Sequence, residues 1–261
     1  MISGMLNGQA WTAGTFPLDG GVSARHEAAS VISAAAPLWW MDADISTADD
    51  GSTLSDAPLR VGTTITQPTV SKRPLLDCDA LNGLPAMIFD AVGDCLQVAN
   101  DIGTDECSVF VTCYSDSAAG GPVFVEYSPS YFGTPGGVVV ACDAQKPFIG
   151  TGETGVLTYR VSATTLDGVP AVLGGCFSRA TDTDTCVMHV DGTLITSFSD
   201  QGNGNTAGNY PSETWSIGSR NNGASNPTDG AIREAVAYAR ELPAGQAVAI
   251  QCALRIRSKV L

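Results

Sequence analysis

Residues 229–243 read DGAIREAVAYARELP, and the twenty residues 242–261 continue as LPAGQAVAIQCALRIRSKVL. The first stretch reads as a β-strand, Ala231 to Ala239, and the second as a helix. Pro243 suits a helix start, where its fixed φ and missing N–H cost little. Val248, Cys252 and Ile256 follow at four-residue spacing, and Arg255, Arg257 and Lys259 fall in the last turn, where cations oppose the helix dipole favourably. A single terminal helix, 243–258, is therefore expected, with its apolar side capping an open end or edge of a β-structure.

The chain before it supports an all-β reading. It has 261 residues, 44% hydrophobic and only 15% charged, with 29 Gly and 14 Pro. That composition suits short strands joined by turns. The clearest hairpin is DTCVMHVDGTLITSFSD, where Asp191-Gly192 fits a type I′ turn. LNGLPAMIFDAVGDCLQVA reads as strand, turn at 90–94, strand. Turn signals recur at intervals typical of a sandwich or barrel. Residues 1–37 differ: they are rich in Gly, Ala and Ser, with apolar anchors at Met5, Leu6, Trp11, Phe16 and Leu18. ARHEAASVISAAA suits about two helical turns before Pro37. The expected organisation is an attachment arm over 1–37 and one domain over 38–261.

A net charge of −14 disfavours nucleic acid and anionic membranes as partners. No stretch reaches the roughly 18 apolar residues of a membrane span, and the N-terminus lacks the basic start and apolar run of a signal peptide. Eight cysteines occur without a C-x-x-C pair, several within apolar runs, and the two histidines are far apart. Buried reduced thiols, and hence folding in a reducing cytosol, fit this better than a zinc site or a disulfide framework.

Five segments, in order, resemble concanavalin A-like lectin/glucanase domains of the laminin-G-like kind. They are WWMDADIS, the block carrying Asn82, Gly83, Pro85, Phe89, Asp90, Gly93, Asp94 and Leu96, the Asp191-Gly192 ribbon, WSIGSRNNG, and DGAIREAVAYARELP. The resemblance implies a jelly-roll sandwich of two antiparallel sheets with an irregular N-terminal arm and one C-terminal helix. It implies ligands, often sugars, on a concave sheet face or in the loops at its rim. Such domains are frequent in structural proteins of tailed bacteriophages. The expected function is therefore a non-enzymatic virion protein, a capsid decoration, head fibre or compact tail accessory. Its arm would dock on capsid or tail subunits, with self-association, and its lectin-like domain would face a host surface glycan. It would be assembled in the host cytoplasm and released in the particle. The alternative is a free bacterial glycan-binding protein or glycoside hydrolase.

The residues weigh on that choice. The glucanase branch carries its acids as E-x-D-x-x-E on one strand, and that pattern is absent here. Glu126, in VFVEYS, has a position that suits a groove but no acidic neighbour on its strand, whereas glycosidases need two carboxyl groups. Glu234 is expected to pair with Arg233, Arg240 or a loop. No G-x-S-x-G elbow or phosphate loop is present. For glycan binding, the expected residues are Asn203, Asn205, Tyr210, Asn221, Asn222 and Tyr131, gathered at one end of the sandwich. Asn and Gly also serve plain turn chemistry at such positions. The Asp-rich stretches 42–51 and 181–185 are the places for a Ca²⁺ ion; no metal-ligand spacing marks either. Trp39, Trp40 and Trp215 read as core, and His189 carries no assigned role.

Overall fold

The computed structural model describes residues 3–6, 9–12, 22–46, 48–57, 59–62, 64–116, 121–128, 136–153, 156–166, 168–180, 185–201, 207–220 and 222–260. The chain begins with strands β1 (Ser3–Leu6) and β2 (Gln9–Thr12), then helix α1 (Val22–Ala34). Short strands follow: β3 (Trp39–Asp42), β4 (Asp56–Ala57), β5 (Leu59–Val61), β6 (Ile65–Thr66) and β7 (Leu75–Asp77). The body of the domain holds β8 (Ala86–Asp90), β9 (Leu96–Val98), β10 (Glu106–Ser115), β11 (Val123–Tyr127), β12 (Gly137–Asp143), β13 (Lys146–Glu153) and β14 (Val156–Ser162). It closes with β15 (Ala171–Ser178), β16 (Thr185–Val190), β17 (Thr193–Leu194), β18 (Phe198–Gln201), β19 (Trp215–Ile217), β20 (Asp229–Tyr238) and helix α2 (Ala244–Ser258).

The strands form two large antiparallel sheets, a jelly-roll sandwich. One runs β17-β16-β15-β10-β20-β3-β5, with β8 and β7 joined to β20; the other runs β18-β14-β13-β12-β11-β19-β9-β6-β4. Side chains alternate along each strand, and the main core lies between the sheets. It holds Trp39, Phe89, Val109, Val111, Tyr127, Val140, Phe177, Trp215 and Ile232. Trp39 meets Trp215 edge-on, centroids 5.3 Å apart. The Asp191-Gly192 turn joins β16 to β17 with φ of 50° and 79°, the conformation that a type I′ hairpin requires.

The terminal helix departs from expectation in where it packs. It lies across the outer face of the first sheet rather than at an end or edge. The cause is in the strands: β20 is buried at every position from Gly230 to Tyr238, and β10 at seven consecutive positions. A strand apolar on both faces needs cover on both. Inward residues such as Ala235 and Ala237 enter the main core. Outward Trp40, Phe110, Val172, Val236 and Tyr238 form a second core with the helices. The buried side of α2 runs Ala247, Ile250, Gln251, Leu254 and Arg257, while Val248, Cys252 and Ile256 flank it. The stretch expected to be irregular or two helical turns forms the thirteen-residue α1, whose Ala28, Val31, Ile32 and Ala35 share this second core. Arg240 ties α1 further, donating to the Ala35 carbonyl at 2.9 Å.

A buried ionic cluster fixes the register of this layer. Asp42 on β3 and Glu234 on β20 are cross-strand partners. Arg257 of α2 donates to Glu234 Oε1 at 2.6 Å and to Asp42 Oδ2 at 2.5 Å. Arg60 also binds Asp42, and both guanidinium groups lie over the Trp40 ring, at 5.1 and 5.2 Å. Glu234 thus pairs with Arg257, not with Arg233 or Arg240, and Arg257 is a buried ligand rather than a surface cation. Arg233 turns to Asp44 at 3.3 Å and to the Pro85 carbonyl at 2.7 Å.

Removing Arg257 leaves the buried Glu234 without this ion-pair partner and Asp42 with Arg60 alone, and breaking a buried pair typically costs about 3–5 kcal/mol. Arg257→Ala should lower stability by that amount in chemical denaturation. Lys146→Ala, at an exposed position of β13, should change it by less than about 1 kcal/mol. Equal losses in the two variants would remove the cluster from its structural role.

Candidate functional site

With helices over the first sheet, the second sheet presents the sandwich's other outer face. Its strand register assembles one continuous row across seven strands. Thr66 pairs Gln97, Gln97 pairs Ser216, Ser216 pairs Glu126, Glu126 pairs Val139, Val139 pairs Gly150, and Gly150 pairs Tyr159. All seven point outward, because the flanking Ile65, Leu96, Val98, Trp215, Ile217, Val125, Tyr127, Val138, Val140 and Ile149 face the main core. At about 4.8 Å per strand, the row spans roughly 29 Å.

The row has a polar half and an apolar half. In the apolar half, Val139, Ala141, Val123 and Phe148 cluster with the partly exposed Tyr159 and Val161. The rings of Phe148 and Tyr159 lie 5.3 Å apart, tilted by 39°. In the polar half, Glu126 is completely buried and Arg220 Nε sits 3.4 Å from its Oε2, with the Arg220 side chain 15% exposed. Burial pushes the Cys95 thiol up, with the nearby Ser219 and Ser216 hydroxyls acting against it, and the thiol donates to the Leu96 carbonyl.

Arg220 is held in place by the loop it starts. Its N–H donates to the Ser225 carbonyl at 2.9 Å, and its own carbonyl accepts from Ala224. Asn226 donates from Nδ2 to the Gly121 carbonyl, and Lys72 donates to the Asn222 carbonyl. Gly93 and Gly223 approach so closely that a Cβ on Gly93 would lie 2.9 Å from the Gly223 oxygen, which excludes larger residues there.

Of the six glycan-binding residues expected at one end of the sandwich, Tyr210 and Asn222 lie within the described residues, and these two do not meet. Tyr210 precedes β19 and Asn222 follows it, so they occupy opposite ends of that strand. Tyr210 is buried in the main core, edge-on to Tyr127, with the Arg179 guanidinium over its ring. Asn222 adopts φ of 53°, and its side chain accepts from Gln67 Nε2 at 3.2 Å. Asn203, Asn205, Asn221 and Tyr131 lie outside the described residues. So do Phe16 and Leu18 of the arm; Met5, Leu6 and Trp11 lie on the β1–β2 hairpin, whose first strand runs beside α2. Sequence reasoning singled out Glu126 as suited to a groove but missed Arg220, Tyr159, Ser216 and Gln97. Only strand register brings them together.

The acidic stretch 42–51 is not arranged for calcium. Asp42 is taken by Arg60 and Arg257, and Asp44 by Arg233. Among the described residues, no cluster of three or more His, Cys, Asp or Glu could hold a metal ion. Residues 181–184 lie outside the described set. The carboxylate pair Asp42–Glu234 is sealed beneath α2, with both residues fully buried and Arg257 between them. All eight cysteines are free thiols, and Cys78 is the exposed one.

These features define an antiparallel jelly-roll sandwich with one outer sheet face backed by helices and the other carrying a polar-to-aromatic row. Among solved structures, the chain is similar to the botulinum neurotoxin serotype D binding domain: 9% identity over 83% of this chain and 51% of that one, TM-score 0.55. It is also similar to a structure described as "the receptor binding domain", at 11% identity over 84% and 51%, TM-score 0.53. A weaker superposition, TM-score 0.45 at 11% identity over 57% and 84%, is with the Ruminococcus gnavus IT-sialidase CBM40 bound to α2,3-sialyllactose. At these identities the likeness is one of fold, and the chain spans about half the length of the two binding domains. No family model and no curated protein matches the chain.

The 90–94 turn, whose Gly93 packs against Gly223, carries a titrating group. Burial first, and then the Asp90 carboxylate, push Asp94 up to about 6, and the Asp90 N–H pulls it back. An unfolded Asp titrates near 3.9. The folded chain therefore holds a proton longer, and this contribution to stability is full below about 4 and lost as pH rises through about 6. Asp94→Asn should flatten the stability profile over that window, measured by urea midpoints at stepped pH; an unchanged slope would contradict the assignment.

Proposed function

We propose that the protein binds carbohydrate, without cleaving it, along the outer face of the second sheet. The cross-strand row carries this reading. It offers the partly exposed hydroxyl of Thr66 and amide of Gln97, the 15%-exposed side chain of Arg220 and the partly exposed ring of Tyr159, around a middle buried at Ser216, Glu126 and Val139. Sugar recognition needs such a mixture: directional polar groups for the hydroxyls and an aromatic surface for the C–H face. Non-catalysis is supported by the carboxylates. Glycoside hydrolysis needs two acids flanking a bond; Glu126 is engaged by Arg220, and the close pair Asp42–Glu234 is closed to substrate. The solved structures of similar fold include proteins named for binding.

The finer reading places the chain in a bacteriophage particle, docked through residues 1–37, with self-association and virion subunits as partners. It rests on the sequence resemblance. The β1–β2 hairpin, a two-stranded sheet separate from both sandwich sheets with its first strand beside α2, is its docking element. Mass spectrometry of purified particles tests it: stoichiometric recovery supports the reading, and absence from particles removes it.

Screening the full chain on a glycan array tests the binding function. Tyr159→Ala should weaken the strongest hit at least tenfold, about 1.4 kcal/mol, with melting temperature unchanged; Arg220→Ala should weaken it as much but also lower the melting temperature, because it leaves the buried Glu126 without its ion-pair partner. Full retention of binding in both variants would place any sugar site elsewhere.

A further inference from the structure

We infer that His189 makes the seat of α2 acid-sensitive, so that protonation of its ring lifts the helix margin over the β16–β17 turn. This stands apart from the glycan-binding reading. His189 lies on the outer side of β16: Met188 enters the main core, while Val187 packs on the second core beneath the helices. Its cross-strand partners are Gly174 on β15 and Leu194 on β17. The residue is 1% exposed, and its ring meets Phe110 edge-on at 6.5 Å. Neither ring nitrogen has a hydrogen-bond partner among the described residues. A neutral imidazole so placed already costs free energy, and an imidazolium costs far more. Burial accordingly pushes the ring down from the ordinary histidine value.

The surroundings decide what gives way. β15, β10 and β17 present Gly174, Phe110 and Leu194, and residues 3–12 of the β1–β2 hairpin include no ionisable side chain. Arg25, His26 and Glu27 of α1 belong to the far end of α2, where Arg257 donates to the Arg25 carbonyl. At the near end, the Asp191 carboxylate accepts from the Val172 N–H at 2.7 Å, and Arg255 donates to the Asp191 carbonyl at 3.0 Å. Asp191 is thus engaged, and Arg255 opposes a second cation. The Cys252 thiol, which burial pushes up, lies against Gly192 and stays neutral. Gly192 N–H donates to Gln251 Oε1 at 2.5 Å, and with the Arg255 bond it holds this margin, whereas the Arg257 cluster fixes the far end. Leu194 is 46% exposed, so water stands one residue from the ring. Lifting the margin hydrates the imidazolium at less cost than unfolding the domain. Because β1 runs beside α2, the opening reaches the N-terminal hairpin. An unfolded histidine titrates near 6.5. The closed chain binds this proton less readily than the opened one. Closure is therefore fully favoured above about 6.5 and weakens below it, by up to about tenfold per pH unit.

The test compares the full chain with His189→Phe by amide hydrogen exchange, corrected for intrinsic rates, between about pH 7.5 and about pH 5. In the wild type, opening of residues 248–256 should rise about tenfold on acidification, while β12 and β13 of the second sheet keep their protection. The rise in His189→Phe should stay below about twofold. Should that variant fail to fold, the imidazole titration of wild-type His189, followed by NMR, decides the case: its midpoint should lie below about 6.5. A midpoint at or above that value, unchanged protection of α2 in the wild type, or an equal rise in His189→Phe would each overturn the inference. So would an equal rise in β12 and β13, because the whole domain would then be opening.

Discussion

The architecture depends on a single constraint: strands β10 and β20 are buried on both faces. Two sheets alone would leave Trp40, Phe110, Val236 and Tyr238 in water. Fully burying side chains of this kind is worth about 1.5–3 kcal/mol each, so a third layer is required and α1 and α2 supply it. The ionic cluster then sets how that layer sits. Apolar contact is non-directional, but Arg257 meets Asp42 and Glu234 in one register only. Burial and the adjacent Asp42 carboxylate raise the Glu234 carboxyl, against the pull of Arg257 and Arg233. The cluster is therefore costly to form and costlier to break, and specifies position more than it adds stability.

That layer decides where function sits. With helices over one outer face, the other outer sheet face carries the row, buried at Ser216, Glu126 and Val139 and partly exposed at Thr66, Gln97 and Tyr159. Strand pairing, not sequence proximity, composes it. Thr66, Gln97, Glu126, Val139, Gly150, Tyr159 and Ser216 come from seven strands and meet because each register places an outward residue opposite the next. The Arg220 loop closes over the buried Glu126 and sets the electrostatic character of the polar half.

Much of the fold was legible in the sequence, and the reasons are physical. Asp191-Gly192 fixes a turn locally, so the hairpin follows from two residues. The block from Asn82 to Leu96 and the stretch around Trp39 carry motifs whose side chains enter the core. The seat of α2 was not legible. Period-two alternation reveals a buried face only when the other face is wet, and Ala-Val-Ala-Tyr at 235–238 hides the difference. The helical face was misjudged by one position, because Gln251 and Arg257 are buried polar residues and an apolar pattern passes over them. Asn- and Gly-rich loops suggested a sugar site at one rim, but β19 is three residues long with Tyr210 before it and Asn222 after it. Of the residues that form the row, Glu126 alone drew notice from its sequence context, and its partner lies 94 positions away, at Arg220.

The most direct measurement is backbone amide chemical-shift mapping of the full chain titrated with a neutral oligosaccharide that binds it. The account predicts shifts concentrated at Gln97, Ser216, Glu126, Val139, Gly150, Tyr159 and the loop from Arg220 to Ser225, with α1 and α2 unmoved. Shifts confined to the helical layer, or to the opposite end of β19 around Tyr210, would contradict it.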